Sequence, residues 1–311
     1  MKDHLHKNAK TTLAQRAYIQ NETGMNVSDL ASKMGVSETT IRKWKKRSFV
    51  NDQFPRPKKR SNTLDPIQEL SLVLIRICFR TGLDDLVKIA TRFIAPSCSR
   101  SSLNRCLKKY HISRLSPLAD DSSLELKDYR GTHLYYKKIS FGRIPGLERP
   151  VSVQTLLDCS FRMVYADIDS GISTQAFINK ILKLSPPRVL GLIFSEPLVL
   201  NGSPMETSDT FPSDAAFFEK FCLDRGMRFR LVRSESEEIL AAIRNTYSDI
   251  LEQNAASMES GQSFLENQEL MEKIESYNFQ MGQRRLKAKP PHQAMKYHYA
   301  FFPNSFQSNP E

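Results

Sequence analysis

The sequence is short of paired cysteines, of long apolar runs and, in its first third, of acid, and each shortage excludes something. Its five cysteines, Cys78, Cys98, Cys106, Cys159 and Cys222, are an odd number. They form no CxxC pair and have no histidine at zinc-ligand spacing, so neither a disulfide framework nor a structural zinc site is expected. No apolar run reaches the roughly 18 residues of a membrane span, and Met1 to Lys10 is polar where a signal peptide needs an apolar centre. A cytoplasmic protein with no membrane partner is the expectation. Acid is scarce in one region only. Residues 1 to 115 hold 23 Lys and Arg against 9 Asp and Glu, a balance of +14, and the remainder holds 22 against 25, or −3. The net charge of +11 therefore belongs to the first third, which points to a polyanionic partner there. A length of 311 residues with 40% hydrophobic content predicts two or three domains, each with its own core.

Within that basic third, Leu13 to Gln20 has helical character, and Val27 to Ser37 reads as a helix, a glycine turn at Gly35 and the cap of a second helix. Ser28 is the expected first cap and Ser37 the second. This is a helix-turn-helix pattern, assigned to residues 1–50. Its second helix, Glu38 to Arg47, turns Ile41 and Trp44 inward. Thr39, Thr40, Arg42, Lys43, Lys45 and Lys46 are left for DNA, the first polar residues for base edges and the later lysines for phosphates. Residues 51–66 read as an extended basic linker carrying Arg56, Lys58, Lys59 and Arg60, suited to a phosphate backbone or a minor groove and equally to a spacer. Three more helices are expected over 67–115: Ile67 to Phe79, Leu83 to Phe93, and Ser99 to Tyr110. The last exposes Arg100, Arg105, Lys108 and Lys109, as a second DNA-binding unit would.

Residues 125–300 change character. Strands are expected at Thr132 to Ser140, Val151 to Asp158 and Arg162 to Asp167, then a helix at Gln175 to Leu184 and a buried strand at Val189 to Phe194. A meander followed by alternating strand and helix is the order of an α/β ribonuclease-H-like domain. Glu196 to Pro212 reads as a surface loop without a role. Ala215 to Leu223, Ile239 to Ile250 and Phe264 to Tyr277 are expected helices, and the aromatic tail, residues 301–311 with the histidines before it, is expected to pack on the core.

Three stretches carry a resemblance. Leu157-Asp158-Cys159-Ser160-Phe161-Arg162-Met163-Val164-Tyr165 is similar to an "IDRATRWVF"-like turn between strands. Arg228-Phe229-Arg230-Leu231-Val232-Arg233 is similar to an "EHRLTRP"-like strand. Tyr277-Asn278, Gln283-Arg284-Arg285-Leu286 and Pro290-Pro291-His292-Gln293-Ala294-Met295 follow a "YN…QRAL…TPxEAL" ending. In this order, over almost the full length, the chain resembles an insertion-sequence transposase of the retroviral-integrase superfamily. The resemblance implies a bacterial, nucleoid-associated DNA-binding protein that works as a homo-oligomer, with other proteins, in a nucleoprotein assembly. It also implies two aspartates and a glutamate holding a pair of Mg²⁺ ions for strand transfer.

Those acids are missing. In the "HxDxK"-like strand, His133-Leu134-Tyr135-Tyr136-Lys137, the aspartate position holds Tyr135. The "LTDNG" position holds Ser195, and the glutamate position falls on Arg244. A phenol, a hydroxyl and a guanidinium offer no anionic oxygen near neutral pH. The leading expectation is therefore a transposase descendant that keeps DNA-site recognition, needs no cofactor and has no catalytic residues. The alternatives are an active, Mg²⁺-dependent enzyme whose acids have moved to Asp158, Asp167, Asp169, Glu196, Glu237 or Glu238, and a protein-interaction scaffold.

Overall fold

The computed structural model describes residues 9–52, 64–115, 130–144, 150–168, 172–201, 211–233, 235–258 and 267–311. They fall into two compact units, Met1–Ser61 and Asn62–Glu311.

The smaller unit is built from α1 (Leu13–Asn21), α2 (Val27–Met34) and α3 (Glu38–Lys45). The cap of α2 is Asn26, a correction to Ser28: Asn26 Oδ1 accepts from the Asp29 amide at 2.8 Å. Asn and Ser are equally good caps, and the helix starts two positions earlier than a Ser28 cap would place it, at Val27. Gly35 then ends α2 at φ +65°, the left-handed conformation glycine takes without strain. Ser37 stands at the cap position of α3, yet its hydroxyl engages Thr39 and Thr40 at 2.8 and 2.9 Å instead of a backbone amide. Ile19, Leu30, Ala31, Ile41 and Trp44 form the core. Arg16 completes it. Its buried guanidinium lies 4.0 Å from the Trp44 ring centroid and donates to the Val50 carbonyl at 2.8 Å and the Asp52 carboxylate at 3.1 Å, tying the chain after α3 back to α1.

In the larger unit α4 (Pro66–Phe79), α5 (Leu83–Ile89, continued by a π turn over Ala90–Ile94) and α6 (Arg100–Lys109) precede the sheet. The strands β1 (Thr132–Gly142), β2 (Val151–Asp158) and β3 (Val164–Ile168) form an antiparallel meander. After α7 (Thr174–Leu184), β4 (Val189–Ser195) lies parallel to β1. A two-residue β5 (Leu198–Val199) also pairs with β1, so the stretch read as a loop without a role contributes to the sheet. Then α8 (Phe211–Asp224) leads to β6 (Arg228–Val232), parallel to β4, and α9 (Glu237–Met258), α10 (Asn267–Gln280) and α11 (Pro291–Phe301) follow. The strand order is β3-β2-β1-β4-β6, with the first three antiparallel and the rest parallel, which is an α/β ribonuclease-H-like core.

Strand periodicity sorts the two faces. Leu134 and Tyr136 of β1 join Leu156, Phe194, Phe177 and Phe218 beneath α7 and α8. Tyr135 and Ile139 join Leu157, Ile193 and the apolar sides of α4, α9 and α10. Helix α4 buries nine of its fourteen residues, which is why its sequence is apolar on nearly every side. At one sheet edge Asn278 of α10 covers β3, accepting from the Val164 amide at 2.9 Å and donating to the Val164 carbonyl at 2.8 Å. At the other, β6 exposes Arg228 and Arg230. The tail packs as expected: Phe302 and Phe306 meet Phe161, Met163 and Met295, and the Arg188 amide donates to the Ser305 carbonyl at 2.9 Å.

Candidate functional site

The β1–β4 register sets Tyr135 opposite Ile193 and Tyr136 opposite Phe194, which brings Ser195, one step on, level with Lys137. Tyr135, Lys137 and Ser195 are each at most 1% exposed. The Lys137 ammonium donates to Ser195 Oγ at 3.1 Å, to the Glu196 carbonyl at 3.0 Å and to Glu235 Oε2 at 2.8 Å. Three donors meet three acceptors, so the buried cation is fully satisfied. Burial, helped by the Glu235 charge, pushes the Tyr135 phenol well above its ordinary range, and the Arg80 guanidinium stands 5.8 Å from its ring centroid. Beneath the group Cys78 of α4 is pushed up to about 12 by burial, which makes it an inert thiol at neutral pH.

Two of the three expected positions thus meet, and Arg244 is engaged next to them. From α9 its Nε donates to the Val199 carbonyl of β5 at 3.0 Å and its Nη1 to Glu237 at 3.0 Å. The carboxylate that does reach the centre, Glu235, was not among the candidate acids. It sits just ahead of α9 in a Ser- and Glu-rich stretch that reads as an ordinary helix start, so only the fold brings it to the sheet. Lys137 was legible: two positions on from Tyr135 in one strand, it shares that face.

Of the relocated-acid candidates, Asp158, Asp167 and Glu238 lie elsewhere. Asp158 is fully buried at the end of β2, where Oδ1 accepts from Thr132 Oγ1 at 2.6 Å and from the Ser160 and Phe161 amides at 2.8 Å each. It fixes the β2–β3 turn, in which Arg162 takes φ +62°, and burial raises its pKa to about 6. Asp167 lies on β3 opposite Gln154. Glu196 contributes a backbone carbonyl, Glu237 pairs with Arg244, and Glu238 stands 3.3 Å from His111. Asp169 lies outside the described residues. Among the described residues no three His, Cys, Asp or Glu side chains come together as a metal site would require. A pair of divalent ions does not fit this donor set: among the described residues the Glu235 carboxylate at the centre is already paired with Lys137, and the groups at Tyr135 and Ser195 are a phenol and a hydroxyl.

The nucleic-acid candidates lie on surfaces. On α3, Thr39, Arg42, Lys43, Lys45 and Lys46 are exposed and Thr40 is half-buried. Arg42 pairs with Glu38 one turn earlier at 2.9 Å, and Lys43 stands 5.5 Å from the Trp44 ring centroid. On α6, Arg105 and Lys108 are exposed, Arg100 pairs with Asp84, and Lys109 pairs with the buried Glu69 at 2.6 Å. Arg56, Lys58, Lys59 and Arg60 lie outside the described residues.

No protein-family model matches the chain, and no curated protein matches it. Among solved structures it is similar to the catalytic core domain of BIV integrase, at 12% identity and a TM-score of 0.28, over 54% of this chain and 97% of that one. It is also similar to a chain of the simian T-cell lymphotropic virus intasome in complex with PP2A regulatory subunit B56 gamma, at 10% identity and a TM-score of 0.29, over 72% and 73% of the two chains. At these values the assignment of the core rests on its strand order. Among the described residues no helix is long and apolar enough to cross a membrane.

Proposed function

We propose that this chain is a duplex-DNA-binding protein of integrase-like architecture that recognises a DNA site, for regulation or for nucleoprotein assembly, without performing metal-dependent strand chemistry. The observation that carries the reading is the centre of the sheet-bearing unit, where a buried ammonium is held by Ser195, the Glu196 carbonyl and Glu235, and Ser195 stands at a position to which the resemblance assigns a catalytic acid. The DNA half of the reading is supported by the cations that α3 presents opposite its buried Ile41 and Trp44. On this reading α3 enters the major groove as the recognition helix of a helix-turn-helix. The partners are duplex DNA, further copies of the chain and other proteins of the assembly.

The test is a binding selection from fragmented genomic DNA with the full chain at moderate salt, followed by incubation of the selected duplex with Mg²⁺ or Mn²⁺. The expected result is a retained duplex whose affinity falls steeply as salt rises, and which remains intact with either metal. Metal-dependent nicking or strand transfer by the purified chain would overturn the inactive reading. Retention of no duplex would overturn the DNA-binding one.

A further inference from the structure

The sheet-bearing unit has a charged surface of its own, assembled from two segments far apart in sequence. From the α5–α6 region come Lys88, Arg92 and Arg100; from the turn between α10 and α11 come Arg284, Arg285 and Lys287. Side-chain contacts join them. Asp84 accepts from both Arg100 and Arg284, the latter at 2.6 Å, and Asp85 accepts the Arg284 amide at 3.0 Å and stands 3.3 Å from Lys88. Lys88 reaches the Gly282 carbonyl at 2.7 Å, and Arg92 reaches Gln280 Oε1 at 2.6 Å.

The exposures sort the charges by sign. The Arg100 and Arg284 side chains are 63% and 79% exposed, and the Asp84 between them 30%. Lys88 is 48% exposed over an Asp85 at 10%. The acids lie inward and fix the cations, whose outer faces remain in solvent. Arg92, Arg285 and Lys287 are exposed as well.

The turn is rigidly made. Leu286 and Gln283 are buried, the Ala288 amide closes on the Gln283 carbonyl at 2.9 Å, and the Gln283 amide closes on the Lys289 carbonyl at 3.1 Å. Lys287 and Ala288 hold consecutive left-handed conformations at φ +53° and +63°, a strain that persists only where surrounding structure enforces it. Gly282 makes room for this, since a Cβ there would stand 2.2 Å from the Ala288 carbonyl oxygen.

We propose that Lys88, Arg92, Arg100, Arg284, Arg285 and Lys287 form one surface built to lie along the phosphate backbone of duplex DNA, so that the sheet-bearing unit grips DNA separately from α3. The inference rests on the DNA-binding reading above and adds a second contact to it. Arg100 and Arg284, held by Asp84 with most of each side chain in solvent, suit phosphate oxygens, and contacts of this kind fix position without reading sequence.

The experiment uses the full chain and a labelled duplex of arbitrary sequence, with affinity measured across a salt series. One double variant carries Arg285→Gln and Lys287→Asn, the asparagine chosen because it tolerates the left-handed backbone. The other carries Arg42→Gln and Lys43→Gln. For the turn variant the slope of log affinity against log salt is expected to become shallower by about 1.8, roughly 0.9 for each lost phosphate contact, with an unchanged thermal midpoint. If that variant keeps the wild-type slope while the α3 variant loses affinity, the second contact is wrong and the DNA reading stands. If only the turn variant loses affinity, the surface is right and the role of α3 is wrong. A wild-type chain that binds polyglutamate but no duplex overturns both.

Discussion

Asp158 is the side chain whose protonation state bears most directly on stability. Its folded pKa of about 6 lies above the ordinary 3.8 because burial penalises the carboxylate more than three hydrogen bonds compensate it. The folded chain therefore binds this proton more tightly than the unfolded chain does. The stabilisation is fully present below about pH 4 and is lost as pH rises through about 6, with a size on the order of 3 kcal/mol. Chemical denaturation of the wild type should show greater resistance near pH 5 than near pH 7.5, relative to an Asp158→Asn variant that keeps the Oδ1 acceptor. Parallel pH profiles for the two proteins would refute the assignment. The acid was visible in the sequence as a strand-end residue, and its contacts bear that out. Its burial was not visible, since nothing local in Leu157-Asp158-Cys159 says that Thr132 closes over it.

Among elements, the contact between Lys137 and Glu235 links β1, the end of β4 and the approach to α9. Removing one member of a buried pair strands the other charge, at a cost of about 3–5 kcal/mol, whereas replacing both by uncharged groups of like size is close to neutral. Glu235→Ala should accordingly lower unfolding free energy by that amount, and a Lys137→Met, Glu235→Gln double variant should recover most of it. Additive losses in the two single variants and the double variant would show that the pair is not coupled. Most elements were legible because hydrophobic period marks them: the helix read from Ser99, the meander and the apolar β4 fall where pattern places them, within a residue or two. Less legible was what each element packs on. The apolar perimeter of α4 announced burial, but only long-range contacts reveal that it shares a core with Tyr135, Ile193 and Ile274. The two residues of β5 are too few to carry a period.

In the whole molecule, the two units have separate cores, and the single tryptophan of the chain, Trp44, sits in the smaller one. Its fluorescence reports that unit, while far-ultraviolet circular dichroism reports chiefly the helices and sheet of the larger. Arg16→Ala removes the guanidinium from Trp44 and with it the ion pair to Asp52, a loss of about 2 kcal/mol. The fluorescence transition is expected to move to lower temperature while the dichroism transition stays in place. A joint shift of both signals would show that the units unfold as one.

The two edges of the sheet limit how copies of the chain can associate. An open edge strand is a template for pairing with another chain. At β3 the template is interrupted, because the Asn278 amide already takes both hydrogen-bonding groups of Val164. At β6 two copies meeting edge to edge would set Arg228 and Arg230 of one against the same arginines of the other. Strand addition is thereby disfavoured at both ends, and a homo-oligomer of this chain has helical surfaces left to build on.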